Sequence, residues 1–365
     1  MTRKENPDFL ERVYKAIWQA CGATEEHAEI MAKAVSAGDR NGKMGQGMAV
    51  MEIPFFMWEH NMLDINAGPT VEQEGKNYVV VDGNRGSGQW CASFAMDQAI
   101  KKAKENTFGI AFMRNFNDIG FQAGYIRKAL EEDMIGVGTV NTVPLTAPYG
   151  GMEAKVNASP FTVVCPSDKE LPIIFDTAVC EAYDYDMVMA AEDNRKMDKK
   201  LLVDPVTGEL TDDPKPYVVQ PYDRISEISA PTAFSSPKLY GFNVFCEIMS
   251  SLLTPGGKHV NQLPYPASEY MKHDDATSVG GGFFMAINIK DLMPFEEFTA
   301  KSDSYIQSIK ACKPAPGFSE VYLPGERGQK NEKKFQEEGV PFRVSAWNKL
   351  VENAAKVGID IEDLR

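Results

Sequence analysis

Between residues 78 and 177 short apolar runs alternate with stretches of helical period, and this alternation restricts the fold more than any other feature of the chain. "YVVVDG" (78–83) reads as a strand, "QWCASFAMDQAIKKAKEN" (89–106) as an amphipathic helix and "GIAFMRN" (109–115) as a second strand. A helix over 119–131 follows, then the strands "IGVGTVN" (135–141), "FTVVCP" (161–166) and "PIIFDT" (172–177). A further strand, "GGFFMAINI" (281–289), comes after a helix at 241–253 and a loop. Strands alternating with crossing helices are expected to bury both faces of a sheet, which is an α/β core.

The flanks are helical. "DFLERVYKAIWQACG" (8–22) and "TEEHAEIMAKAVSAG" (24–38) each end on a glycine, and Thr24 caps the second with Glu25 and Glu26 at its positive end. A glycine-rich loop, "DRNGKMGQG" (39–47), leads into a third helical stretch at 48–63. Residues 204–216 are turn-rich and expected to be exposed, and the charged tail from 294 is helical with a break at 322–330. The expected organisation is an N-terminal helical segment (1–75), a central α/β domain (76–293) and a C-terminal helical segment (294–365) packing with the N-terminal part.

With 365 residues, 43% of them apolar, the chain can bury a large core. Its 52 acidic against 38 basic residues give a net charge of −14, a field that repels a phosphate backbone, so no nucleic-acid partner is expected. No apolar run approaches the roughly 18 residues that span a bilayer, and none resembles a signal peptide. The six cysteines lack any CxxC and sit in apolar surroundings, as in a reduced, cytoplasmic protein. The four histidines have no ligand spacing, so no metal site is expected.

Two loops could carry chemistry. "DGNRGSGQ" (82–89) lies between a strand and a helix, where backbone N–H groups receive an anion, although a simple tight turn is the plainer reading. "NFNDIGFQAG" (115–124) hands a strand over to a helix and presents Asp118. A helix cap is the plain role for that aspartate, and a catalytic one the sharper.

Eight stretches in order carry a resemblance: "VDGNRGSGQ" (81–89), "NFNDIGFQAGY" (115–125), "VPLTAPYGG" (143–151), "NASPF" (157–161), "FDTA" (175–178), "DPVTGELTDDP" (204–214), "KLYGF" (238–242) and "LPGE" (323–326). Together they resemble the malate/L-lactate dehydrogenase family over nearly the whole length. The family includes sulfolactate, ureidoglycolate and diketogulonate dehydrogenases and cyclic-imine carboxylate reductases. The resemblance implies a non-Rossmann three-layer α/β/α fold around a large mixed sheet, with the terminal helical segments forming a smaller part. It also implies a homodimer, NAD or NADP as cofactor, and hydride transfer to or from a small 2-oxo acid, 2-hydroxy acid or imine.

The departures from the family pattern fall on the chemistry. The family's Ser-His-Gly triplet aligns with Gly45, Gln46 and Gly47, its loop histidine with Asp118, and its Gly-Thr-Asn-Pro turn with Asn157, Ala158, Ser159 and Pro160. Both histidines are absent. The resemblance places cofactor contacts at Asn115, Gly120, Asn157, Ser159, Pro160, Lys238, Gly241 and Glu326. Carbonyl reduction needs a proton from a group that titrates near the working pH. An aspartate, ordinarily at about 3.9, reaches that range through burial or a second carboxylate. Asp118, Asp176, Lys238 and Gln46 are therefore the candidate catalytic residues, with Lys43 a further possible proton carrier and Gln46 a hydrogen-bonding amide. A non-redox hydratase or lyase on the same scaffold, and an inactive binding homologue, are the alternatives.

Overall fold

A computed structural model describes residues 2–220, 222, 224–265, 269, 272 and 276–365. Its strands are β1 (Thr2–Glu5), β2 (Thr70–Glu74), β3 (Tyr78–Asp82), β4 (Phe108–Arg114), β5 (Met134–Val140), β6 (Pro160–Cys165), β7 (Ile173–Ala178), β8 (Leu202–Val203), β9 (Leu210–Thr211), β10 (Gly282–Asn288) and β11 (Val340–Arg343). The α-helices are α1 (Pro7–Ala20), α2 (Glu25–Arg40), α3 (Glu52–Glu59), α4 (Gly88–Asn106), α5 (Ala123–Ile126), α6 (Lys128–Glu131), α7 (Asp184–Glu192), α8 (Pro237–Glu247), α9 (Phe295–Lys310), α10 (Glu326–Glu338) and α11 (Val344–Lys356).

Seven strands form one mixed sheet in the order β2-β3-β4-β10-β5-β6-β7. Only β3 and β4 run parallel, joined by α4 as the crossover helix; every other pairing in this sheet is antiparallel. The late strand β10 inserts between β4 and β5, with Gly282 opposite both Met113 and Val140. This is an α/β sheet of non-Rossmann type. Val79, Val80 and Val81 are all buried, the continuous apolar run of a strand covered on both faces. The α4 helix buries Cys91, Ala92, Ala95, Met96, Ala99 and Ala103 against the sheet, a stripe of mostly small residues that lets helix and strands approach closely.

A second core lies beside the sheet. Tyr14 and Trp18 of α1, Phe342 of β11 and Trp347 of α11 belong to one cluster that joins residues 9–65 with 335–361. β1 pairs antiparallel with β11, so the two ends of the chain close the same layer. Asn6 caps α1 through Asp8 and Phe9, and Thr24 caps α2 through His27.

Some elements differ from the sequence reading. The helix expected over 119–131 is two single turns, α5 and α6, because Gly120 takes a left-handed φ of 65° and the irregular loop persists to Gln122. β1 (TRKE) and β2 (TVEQE) lack an apolar face and so carry no period-2 signal. Within the turn-rich 204–216 stretch, β9 folds back onto β8 in a small hairpin that holds Val206 at its tip, 87% exposed. No helix among the described residues is long and apolar enough to cross a membrane.

Candidate functional site

A cleft of about 200 Å³ opens where the 39–47 loop, the 118–122 loop, the ends of β5 to β7, the start of α7 and residues 224–228 meet. Gln46, Asp118, Gly120, Pro160 and Asp176 line it together, and so does Lys43.

The glycine-rich loop is held from beneath by Asp39 in the last turn of α2. Its carboxylate accepts the Tyr14 hydroxyl at 2.6 Å and the Met48 N–H at 2.8 Å. Burial pushes the Asp39 carboxyl up to about 6 against the pull of those two hydrogen bonds. A Cβ at Gly47 would lie 2.0 Å from Asp39 Oδ1, and one at Gly45 would lie 2.6 Å from the Tyr183 hydroxyl. Glycine on either side therefore lets the loop run between two packed side chains with Gln46 facing the cleft.

Asp118 is positioned by a chain reversal after β4. Asn115 takes a left-handed φ of 54°, and its amide donates to Asp82 Oδ1 at 2.8 Å. Asp118 Oδ1 accepts the Gly120 N–H at 2.8 Å, an Asx turn, whereas the nearest helix begins at Ala123. Asp118 thus caps no helix, and its second oxygen has no hydrogen-bond partner among the described residues. Burial raises its carboxyl above the ordinary aspartate range; Arg224 and the Gly120 N–H oppose the rise and Asp184 adds to it.

Asp176 on β7 faces Thr162, its register partner on β6, whose hydroxyl donates to Oδ1 at 2.5 Å. The Ala123 N–H adds a second donor, and Lys43 Nζ stands 3.9 Å from Oδ2. Burial again raises the carboxyl, with Lys43 the largest opposing influence. The two cleft aspartates differ in surroundings: Asp176 has the Thr162 hydroxyl on one oxygen and the Lys43 charge beside the other, while Asp118 keeps one oxygen without a partner among the described residues.

Other expected positions lie outside the cleft wall. Asn157 and Ser159 are fully buried and bonded to the protein itself: Asn157 accepts from Ser159, donates to Glu247 at 2.7 Å, and its carbonyl takes the Asn243 amide at 2.7 Å. Lys238 and Gly241 are exposed on α8. Glu326 is buried between Lys310 and Lys330 at 3.1 and 3.0 Å and accepts the Leu323 N–H, which fixes the turn into α10. In the 82–89 loop the N–H groups of Gly83, Asn84, Arg85 and Gly86 all donate to oxygens of the protein, the arrangement of a tight turn.

The cleft also holds residues that the sequence reading did not single out: Arg224, Asp184, Tyr183, Tyr265, Gln122 and Ser278. Arg224 Nη1 pairs with Asp184 Oδ2 at 3.1 Å. Arg224 lies in an aperiodic stretch after the 204–216 turns, so no pattern marked it. Gln122 and Ser278 had a weak signal at most, as polar residues beside glycines. The Gln122 amide and the Ser278 hydroxyl are buried without a hydrogen-bond partner among the described residues. Buried polar groups are ordinarily satisfied, so spare donors and acceptors in a cleft wall fit a bound polar molecule.

Comparison with known proteins agrees with the fold and length. The malate/L-lactate dehydrogenase family model matches residues 6–351. L-sulfolactate dehydrogenase of Methanocaldococcus jannaschii is 29% identical over 359 residues, 98% of each chain. Malate dehydrogenase of Pyrococcus horikoshii is 27% identical over 348 residues, 93% of this chain and 91% of the relative. The solved structure of the Methanocaldococcus sulfolactate dehydrogenase superposes with a TM-score of 0.84 over 99% of both chains at 27% identity.

Proposed function

This chain belongs to the malate/L-lactate dehydrogenase family, and from that premise we propose that its cleft transfers a hydride between NAD or NADP and a small polar substrate of the 2-oxo acid, 2-hydroxy acid or imine kind, with Asp118 in place of histidine as the proton carrier. The observation that carries this reading is the shared cleft of Asp118 and Asp176, one carboxyl with an oxygen that has no partner among the described residues and one held by Thr162 beside the Lys43 charge. When bound, the nicotinamide supplies the hydride in reduction and takes it in oxidation. Asp118 holds a proton at its free oxygen and releases it to the substrate oxygen or nitrogen as the carbon is reduced; in oxidation it takes that proton back. The raised proton affinity from burial keeps the acid form present to higher pH than an exposed aspartate would allow. Asp176, with Thr162 and Lys43, holds its charge in place beside the reacting group, and the Gln46 amide donates to or accepts from substrate without titrating. Gln122 and Ser278 have the hydrogen-bonding capacity to hold the nicotinamide end.

The subunit assembly proposed is a homodimer in the cytoplasm. Phe245 of α8 and Ile248 and Leu252 of the helical turn that continues it, with Leu253 at its end, expose apolar surface, which is unusual for a face left to water. Lys238 and Gly241 lie on the same helix, so pairing of two copies there places them, as cofactor contacts, near the interface rather than in the cleft wall.

Thermal-shift titration with NAD, NADH, NADP and NADPH tests the cofactor. A site saturated at a hundred times its dissociation constant stabilises the fold by about 2.7 kcal/mol. A rise in melting temperature with one cofactor pair is expected; no rise with any of the four overturns the redox reading.

A further inference from the structure

Resting on the redox reading above, we propose that Arg224 is the anchor for a substrate carboxylate, with Asp184 holding the guanidinium in register. The side chain is 10% exposed and lies in the cleft wall. Its position is fixed from three sides: Asp184 Oδ2 accepts Nη1 at 3.1 Å, Glu52 Oε2 accepts the backbone N–H at 2.6 Å, and the Tyr185 ring lies under the guanidinium with its centroid 5.3 Å away. A guanidinium has five N–H donors in a rigid plane. Here the hydrogen bonds use Nη1 alone, and neither Nε nor Nη2 has a partner among the described residues.

Two functions for such a group compete. As a counter-ion it would serve only to balance Asp184 and the nearby Asp118, and a lysine would do that equally well. As an anchor it would present its remaining donors to a planar carboxylate in a two-point contact that a lysine cannot reproduce. The spare donors favour the second, because a single contact to Asp184 is enough for balance but leaves the fork unfilled. Asp118 lines the same cleft, so a 2-oxo acid held there by its carboxylate shares the pocket with the proposed proton carrier.

The test separates anchor, counter-ion and redox chemistry. Oxamate, an unreactive 2-oxo acid analogue, and its neutral ethyl ester are titrated calorimetrically into wild type, Arg224→Lys, Arg224→Gln and Asp184→Asn. Because no hydride moves, the result is independent of the redox reading, which the cofactor titration tests by itself. The expected result is that Arg224→Lys loses on the order of 100-fold in oxamate affinity, with the ester unchanged and the melting temperature near that of wild type. Asp184→Asn is expected to lose less, since the guanidinium remains but is no longer held. Should Arg224→Gln fail to fold, Arg224→Lys still answers the question. Equal oxamate binding by wild type and Arg224→Lys, or an equal loss for oxamate and ester, overturns the assignment.

Discussion

Asp118 and Asp39 illustrate what one buried carboxyl does in two settings. For Asp118 the prediction is kinetic. In the direction of reduction the protonated acid is the active form, so kcat/KM is expected to fall as pH rises through its raised pKa and oxidation to rise over the same range. Asp118→Asn keeps an acceptor for the Gly120 N–H, so turnover should fall about 100-fold or more while the melting temperature moves by no more than a few degrees. Loss of melting temperature with full turnover would return the residue to a structural role. For Asp39 the prediction is thermodynamic. Its folded pKa, at about 6, exceeds the ordinary aspartate value, so the folded state binds the proton more tightly. That contribution to stability is complete below about pH 4 and is lost as pH rises to about 6, some 3 kcal/mol in all. Asp118 and Asp176 act in the same direction and remain in an Asp39→Asn variant. Urea unfolding between pH 4 and 7 should therefore show the Asp39→Asn variant gaining on wild type as pH rises; a constant difference would remove Asp39 from the titration. Of these residues, Asp118 was legible because a strand, a glycine and a helix-like pattern framed it. Arg224 was not, since only tertiary packing brings its aperiodic segment against Asp184.

At the scale of elements, the strands and helices with strong periodicity were readable and their order in the sheet was not. β10 inserts between β4 and β5 through pairings that span more than a hundred residues of chain, and no local pattern encodes such a choice. The polar edge strands were invisible for a related reason, since partners rather than side chains define them. The helical turn Ile248–Leu252, which continues from α8, carries its own prediction. If the apolar face around Leu252, 62% exposed, is the dimer contact, then Leu252→Glu should shift the mass by light scattering from two chains to one with its fold intact by circular dichroism. Persistence of the same oligomer in that variant would move the interface elsewhere.

For the whole molecule the net charge of −14 sets the long-range conditions under which an anion arrives. The Debye length falls from about 30 Å at 0.01 M salt to about 8 Å at 0.15 M. With a carboxylate substrate kcat/KM should therefore rise a few-fold over that range, and with a neutral ester it should stay flat. A fall with salt for the carboxylate would show that the local positive groups, Lys43 and Arg224, outweigh the global field. The pairing of β1 with β11 has a consequence in time. Thr2–Glu5 have no strand partner until Val340–Arg343 exist, and Glu5 is paired in addition with Arg365. The layer that supports the 39–47 loop is thus closed only once residues 340–343 exist, so the seven strands of the central sheet are all available for pairing while that layer, and the cleft wall resting on it, still stands open.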